Sequence, residues 1–328
     1  MRNSLLWHRA TVRRHRNLTP TVREFELRPD DGVLPWTVGS HLNVQVVIDG
    51  RTDTRSYSLV GVPHDPAAGE VYRIAVKLVD QSRGGSRHMW SLPEGAEVFV
   101  GEPNNHFELS LDAPQYLLLA GGIGITPIVG MARLLAQRGA DVQMRYAARE
   151  VAELAFHAEL SDALGTRLQC FNDAAGQRMD LAAEIAALHP QGLMFVCGPM
   201  PLLGAVQSAW AASGRPPANL RFETFGNSGA HANQAFIVKL PRHKLELEVP
   251  ADRTLLDVLN DAGIETLYDC RRGECGLCAV DVLSASGTID HRDVFFSPHE
   301  KQSNTRLCAC VSRVNGGEVV LDSAYRAD

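Results

Sequence analysis

The stretch Tyr268-Asp269-Cys270-Arg271-Arg272-Gly273-Glu274-Cys275-Gly276-Leu277-Cys278 decides how this chain is read. Its cysteines are spaced C-x4-C-x2-C, and Cys308 and Cys310 follow after 29 and 31 intervening residues. That is the plant-type spacing of a 2Fe–2S cluster, completed by one distant thiolate. Three sulfurs converging on one inorganic core need a backbone that wraps closely round it, and Gly273 and Gly276 permit such dihedrals. A structural zinc site would prefer two tight cysteine knuckles or added histidines, and only Cys275/Cys278 forms such a knuckle. A disulfide framework suits a small secreted domain, not 328 residues with seven cysteines. Both Cys308 and Cys310 are candidates for the fourth ligand, because an extended segment would point them to one face. The other thiol would be a packed core residue.

Working outward, the length predicts two or three domains. A hydrophobic content of 45% is that of a globular protein with substantial cores. The net charge of −6 argues against nucleic acid as a partner. The N-terminal residues lack the apolar core of a secretory signal, and no run is long enough to span a bilayer. A soluble, cytoplasmic and monomeric chain with no membrane partner is the expectation.

Residues 1–111 read as β-rich. Leu42, Val44, Val46 and Ile48 alternate with Asn43, Gln45 and Asp49, and Ile74, Val76 and Leu78 alternate with Arg73, Ala75 and Lys77. This period of two predicts half-buried antiparallel strands, as in a small barrel. Residues 112–225 change character. Leu117-Leu118-Leu119-Ala120 is a continuous apolar run, followed by a glycine turn and a helical segment from Thr126 to Gln137. Further strands are expected at 142–147, 166–171, 193–197 and 219–223 with helices between them, the alternation of a parallel α/β sheet. The small polar stretch 226–234 reads as a linker. Residues 235–328 form the cysteine-bearing domain, with a strand through Leu245, Leu247 and Val249 and a helix over 255–262 capped by Thr254 and ended by Gly263.

Two glycine turns follow apolar strands and open helices. In Gly121-Gly122-Ile123-Gly124-Ile125-Thr126-Pro127 the glycines would let the backbone approach a pyrophosphate at a helix N-terminus. Pro127 stands where the Rossmann pattern has its third glycine, so the turn alone reads equally as a plain connection. Cys197-Gly198-Pro199-Met200 repeats the arrangement, and ligands bind at such strand ends. In the β-rich part, Arg55-Ser56-Tyr57-Ser58 and Ser82-Arg83-Gly84-Gly85-Ser86 supply arginines beside Gly and Ser that suit phosphate, and Tyr57 could stack on a flat ring. The bland alternative is a solvated strand end and a turn.

The order of these motifs, followed by Glu223-Thr224-Phe225-Gly226, the cysteine loop and Cys310-Val311-Ser312-Arg313, resembles the phthalate dioxygenase reductase family of the ferredoxin–NADP reductase superfamily. Vanillate demethylase reductases are similar. The resemblance covers essentially the whole chain. It implies an antiparallel β-barrel flavin domain, a parallel-sheet NAD domain and a C-terminal β-grasp ferredoxin domain. By motif, Arg55, Ser56 and the Arg83–Ser86 turn would hold FMN phosphate, Tyr57 would pack on the isoalloxazine, and Ser58 would lie near flavin N5. Gly122, Gly124, Thr126, Gly198 and Pro199 would bind NADH, with Cys197 beside the nicotinamide. Phe225 would lie where nicotinamide enters, or else be a core aromatic. Cys270, Cys275, Cys278 and Cys310 would hold the cluster. The departure from the pattern is two extra residues between Cys278 and Cys310.

The function that follows is an NADH-dependent reductase that passes electrons through FMN and 2Fe–2S to a terminal oxygenase, most simply a Rieske non-haem iron enzyme or demethylase. The alternative partner is a haem-thiolate monooxygenase. A redox-sensing scaffold and a zinc-stabilised interaction module are the readings from other classes. Arg145 and Arg149, after the second strand of the nucleotide domain, would be placed to receive the 2′-phosphate of NADPH.

Overall fold

The computed structural model describes residues 6–63, 70–79, 84–225, 231 and 233–322. The chain divides into two compact units, residues 1–223 and 224–328.

The first unit opens with β1 (Trp7–Asn17), β2 (Val22–Pro29), β3 (His41–Ile48), β4 (Arg51–Ser58), β5 (Tyr72–Lys77), α1 (Gly85–Ser91) and β6 (Glu97–Gly101). These strands form an antiparallel sheet in the order β4-β3-β6-β1-β2-β5. A bridge between Leu59 and Ile74, with Val60 N–H donating to Arg73 O at 2.8 Å, joins the two edges into a barrel. Closure leaves no long edge exposed for pairing with another chain. The inward positions of the period-two pattern, including Phe25, Leu42, Val44, Val46 and Ile74, are fully buried. Ala75, expected on the solvent face, is only 4% exposed. The reason is that this face of the barrel is covered too. Val22, Val38, Val60, Ala75 and Phe107 share one core with the elements that follow.

Those elements are β7 (Tyr116–Gly121), α2 (Ile125–Gln137), β8 (Val142–Ala148), α3 (His157–Leu164), β9 (Leu168–Asn172), α4 (Leu181–Ala187), β10 (Leu193–Cys197), α5 (Met200–Ala212) and β11 (Leu220–Glu223). All five strands are parallel, in the order β11-β10-β7-β8-β9. Every residue of β7 is buried, which is why it reads as an unbroken apolar run. The chain direction across the sheet reverses between β7 and β10, so their C-terminal ends flank a topological switch point.

A charged network crosses from barrel to α/β layer. The Glu24 carboxylate, 3% exposed, receives Arg16 Nε at 2.6 Å and Arg73 Nε at 2.8 Å. Glu159 on α3 in turn meets Arg16 and Arg73, each at 3.4 Å. A buried carboxylate that loses a guanidinium is left with an uncompensated charge. Arg73→Ala is therefore expected to lower stability by about 3 kcal/mol. In urea unfolding this would appear as a lower midpoint with an unchanged slope.

The second unit contains β12 (Phe236–Leu240), β13 (Leu245–Val249), α6 (Leu255–Asp261), β14 (Ala279–Ala285), β15 (Thr288–Asp290), α7 (Pro298–Ser303), β16 (Arg306–Cys308), β17 (Arg313–Asn315) and β18 (Glu318–Asp322). The main sheet runs β13-β12-β18-β14-β16, with β12 and β18 parallel. Leu255, Leu256 and Leu259 of α6 pack into its core, giving the β-grasp arrangement. Thr254 Oγ1 accepts from Asp257 N–H at 3.1 Å, and Gly263, at φ 78°, follows the helix end. Of the stretch read as a linker, 226–230 and 232 lie outside the described residues. The remainder is held rather than loose: Arg292 donates to His231 O at 2.9 Å and to Asn233 Oδ1 at 2.6 Å.

Candidate functional site

On β4, alternation sends Arg55 and Tyr57 to one face and Ser56 and Ser58 to the other. Arg55 Nη1 donates to Asp53 Oδ2 at 2.6 Å and to Thr54 O at 2.8 Å, but its Nη2 is buried with no partner among the described residues. A buried guanidinium nitrogen of this kind needs an anion. The guanidinium lies against the start of α1, where a Cβ on Gly85 would come within 2.6 Å of Arg55 Nε. Gly84, at φ 91°, lets the chain turn into that helix, and Ser86 Oγ accepts from Val79 N–H at 3.3 Å. Arg83 lies outside the described residues. This cradle fits a phosphate. Tyr57 packs against the barrel core, and burial pushes its phenol pKa up, so the ring stays neutral. Ser56 donates to Asn43 Oδ1 at 2.6 Å.

At the switch point the two glycine turns touch. A Cβ on Gly124 would sit 2.2 Å from Cys197 O, and one on Gly198 would sit 3.1 Å from Gly121 Cα. The two central glycines therefore divide the work. Gly124 permits close helix–strand packing. Gly122, at φ 53°, faces open space where a pyrophosphate could approach. Thr126 is buried and donates back to Ile123 O at 3.0 Å, so it closes its own turn. Pro199 precedes α5 and sits against Gly121. Arg145 is in the body of β8, with Nε on Glu184 Oε1 at 2.6 Å, and is not free to meet a 2′-phosphate. Arg149, just beyond β8, is exposed.

One residue of this site carried no role in the sequence reading. Glu223 is 1% exposed, ends β11, and pairs in register with Cys197. Ser58 Oγ reaches its Oε2 at 3.5 Å. The end of a barrel strand thus meets the ends of two parallel strands at a buried carboxylate. The sequence signal was its place at the head of the Glu223-Thr224-Phe225-Gly226 motif, as an acidic residue closing an apolar strand. Phe225 belongs to the second unit, where its ring is exposed. A cavity of about 660 Å³, lined by Arg16, Glu24, Arg73, Arg133 and Glu159 among others, lies on the charged network and contains none of the expected site residues.

In the cysteine loop, the N–H groups of Arg272, Glu274 and Cys275 each point at Cys270 Sγ at 3.4 Å. Gly273 and Gly276 have φ of 77° and 73°. A Cβ on the first would come within 2.7 Å of Val311, and one on the second within 2.3 Å of the Phe295 ring. Arg271 also adopts a positive φ, 53°, and is held by an ion pair to Asp257 on α6 and by the Tyr268 ring. Cys270 and Cys275 hydrogen-bond each other, while Cys278 meets both Cys308 and Cys310. Those contacts draw the Cys278 and Cys275 thiols down and push their partners Cys270, Cys308 and Cys310 up. Among the described residues no three Cys, His, Asp or Glu gather as ligands of a single ion. Donors set out on two sides suit a dinuclear centre with two thiolates to each iron better than one tetrahedral zinc. Cys310 is not in an extended segment, as expected, but in a tight turn after β16, with Ser312 N–H on Cys308 O at 2.9 Å.

Residues 238–315 match the 2Fe-2S iron-sulfur cluster binding domain family. The chain is 38% identical to a haem-dependent oxidative N-demethylase beta subunit of Ectopseudomonas mendocina, over 94% of this chain and 96% of that one. It is 36% identical to a carnitine monooxygenase reductase subunit of Escherichia coli, over 93% and 95%. Among solved structures, phthalate dioxygenase reductase, described as modular for electron transfer from pyridine nucleotides to 2Fe–2S, superposes with a TM-score of 0.80 at 32% identity over 98% of both chains. The chain belongs to the phthalate dioxygenase reductase family. An intact self-sufficient cytochrome P450 monooxygenase also matches at 32% identity and TM-score 0.69, over 96% of the reductase but only 41% of that chain. The reductase is thus an electron-transfer oxidoreductase in which reducing equivalents pass from a pyridine nucleotide through a flavin to a 2Fe–2S cluster and on to an oxygenase component. No helix among its described residues is long and apolar enough to cross a membrane.

Gly124→Ala should force the two switch-point turns apart. It is expected to cost about 2 kcal/mol in thermal or urea unfolding and to weaken nucleotide binding. Gly122→Ala, whose Cβ would meet open space but whose positive φ disfavours alanine, should weaken nucleotide binding with a smaller loss of stability.

Proposed function

We propose that the reductase takes hydride from NADH onto FMN and delivers single electrons through its cluster to a terminal oxygenase, most directly a Rieske non-haem iron enzyme. The observation that carries this reading is the meeting of Ser58 with Glu223 beside Cys197. It brings the flavin-side strand end to the nucleotide-side strand ends. The chemistry supplied by the bound flavin and cluster is conversion of one hydride, two electrons and a proton, into two single electrons, each reducing one ferric ion to ferrous.

The chain's own residues hold and orient. Arg55, Gly84, Gly85 and Ser86 would grip the FMN phosphate, and Arg83, next to them in sequence, is proposed for the same role. Tyr57 would present its neutral ring to the isoalloxazine, and Ser58 would lie near N5. Gly122, Gly198 and Pro199 line the nucleotide path, and Cys197 bounds the nicotinamide side. Phe225 is proposed at the nicotinamide entrance on motif alone. No side-chain acid or base is required for hydride transfer. What the site must do is hold the nicotinamide carbon against flavin N5 and keep oxygen out. NADH is favoured over NADPH because Arg145 is engaged by Glu184, leaving Arg149 as one exposed cation there. The domain divisions at 111/112 and 225/226 are part of the same reading, as is a monomeric chain in a reducing cytoplasm, which the free cysteines suit. The haem-linked relatives support a second reading, a haem-thiolate partner.

For the fourth ligand we assign Cys310. Its N–H as well as its thiol bonds Cys278, whereas Cys308 is fixed in the ladder opposite Ala279 with its side chain fully buried. Cys310→Ser should abolish the cluster absorption while NADH still bleaches flavin, and Cys308→Ser should retain both. Arg55→Ala should weaken FMN binding to the apoprotein by about 2 kcal/mol, roughly 30-fold, in a fluorescence titration. An anaerobic titration with NADH and with NADPH tests the whole reading: NADH should bleach flavin and cluster bands at far lower concentration, and failure of both would overturn it.

A further inference from the structure

Glu274 stands between two proposed ligands of the cysteine loop, and its carboxylate is engaged by groups other than the sulfurs. Its Oε1 accepts the backbone N–H of Thr224 at 2.7 Å. Thr224 is the first residue of the second unit and is 2% exposed. Arg272, itself 7% exposed, holds the same carboxylate through Nη2 at 3.2 Å. The backbone N–H of Glu274 meanwhile points at Cys270 Sγ at 3.4 Å. One residue therefore joins a ligand sulfur, through its main chain, to the peptide that follows Glu223, through its side chain. Farther along the same strap, Arg292 holds His231 and Asn233, and Arg313 holds Gln234 O at 2.9 Å. Among the described residues the ferredoxin unit thus grips its own leading strap at several points, and the grip at Thr224 comes from the cysteine loop.

We propose that Glu274 is a positioning residue for electron entry into the cluster, acting by fixing the cysteine loop to the strap at Thr224. The proposal rests on the flavin-to-cluster relay described above. An amide-to-carboxylate hydrogen bond, shielded from water and braced by a guanidinium, is among the stronger ones available to hold a loop. A loop residue of strained backbone, Arg271 at φ 53°, adjoins it, so the loop needs such external support. Transfer between centres depends on their placement, and small displacements of a reacting group lower rates steeply. Glutamine keeps a carbonyl that can accept the Thr224 N–H; alanine cannot.

The test uses the full-length holo-reductase and two independent readouts. In Glu274→Ala, amide exchange at Thr224 should quicken by about tenfold or more, and Glu274→Gln should restore most of the protection. In anaerobic stopped flow with NADH, Glu274→Ala should leave flavin bleaching unchanged and slow cluster reduction on the order of tenfold, with Gln in between. If Glu274→Ala loses its cluster, Thr224→Pro removes the same donor without touching the loop and should give the same selective slowing. Unchanged exchange in Glu274→Ala, or unchanged cluster reduction in every variant that loses the bond, would overturn the positioning role. Wild-type protein that fails to pass electrons from NADH to its cluster would instead overturn the relay itself, so the two failures are distinct.

Discussion

The constraint on which this structure turns is the need to bring thiolates from two distant stretches of chain to one buried place. Cys270, Cys275 and Cys278 come from one loop, and the proposed fourth ligand, Cys310, from beyond β16. Ordering such a loop without cofactor is unfavourable, since two glycines and Arg271 all sit at positive φ. The fold compensates with external holds. Asp257 on α6 grips Arg271, and Val294 N–H bonds Gly273 O at 2.9 Å. The fully buried Asp293 accepts from Phe296 N–H at 2.9 Å and from Ser312 Oγ at 3.3 Å, tying the loop's neighbour to the Cys310 segment. Desolvation works to raise the Asp293 pKa, but the His291 ring 3.7 Å away, the Phe296 N–H and the Lys301 charge outweigh it and hold it lowered, so it stays an anchor for its donors. The Asp-His-Arg-Asp run 290–293 is thus a structural brace, not an acid–base centre.

The first unit solves a different problem with the opposite means. Flavin and nicotinamide must meet face to face, which needs two scaffolds held firmly, not a loop wrapped round a core. Here a closed barrel and a doubly wound sheet share one apolar core and a charged network through Glu24. The turns at the switch point are so close that Gly124 admits no side chain and one at Gly198 would crowd Gly121. Glu223, buried at the end of β11, is where both halves contribute to one spot.

Much of this was legible in sequence because local physics and fold agreed. The strands at 193–197 and 245–249, the helix from Thr254's cap to Gly263, and the glycine dihedrals at Gly273 and Gly276 follow from spacing and residue type alone. What sequence could not show were matters of tertiary placement. Ala75 is buried because a second layer covers the barrel, which no period-two pattern reveals. Arg145 looked available to a phosphate until its partner Glu184, on another element, was in view. Gly122 and Gly124 read alike in the sequence, and only their surroundings assign one to ligand approach and the other to packing. Glu223 and Glu274 are ordinary acidic residues in the chain. Their importance lies in what they touch.

The central claim is that this single polypeptide carries electrons from a pyridine nucleotide into a dinuclear iron centre held by paired thiolates. Low-temperature electron paramagnetic resonance of the purified protein, frozen anaerobically after NADH addition, tests it most directly. The account predicts the signal of a reduced 2Fe–2S centre that is absent before NADH. A sample that stays silent after flavin bleaching, or whose cysteine domain contains zinc in place of iron and sulfide, would contradict it.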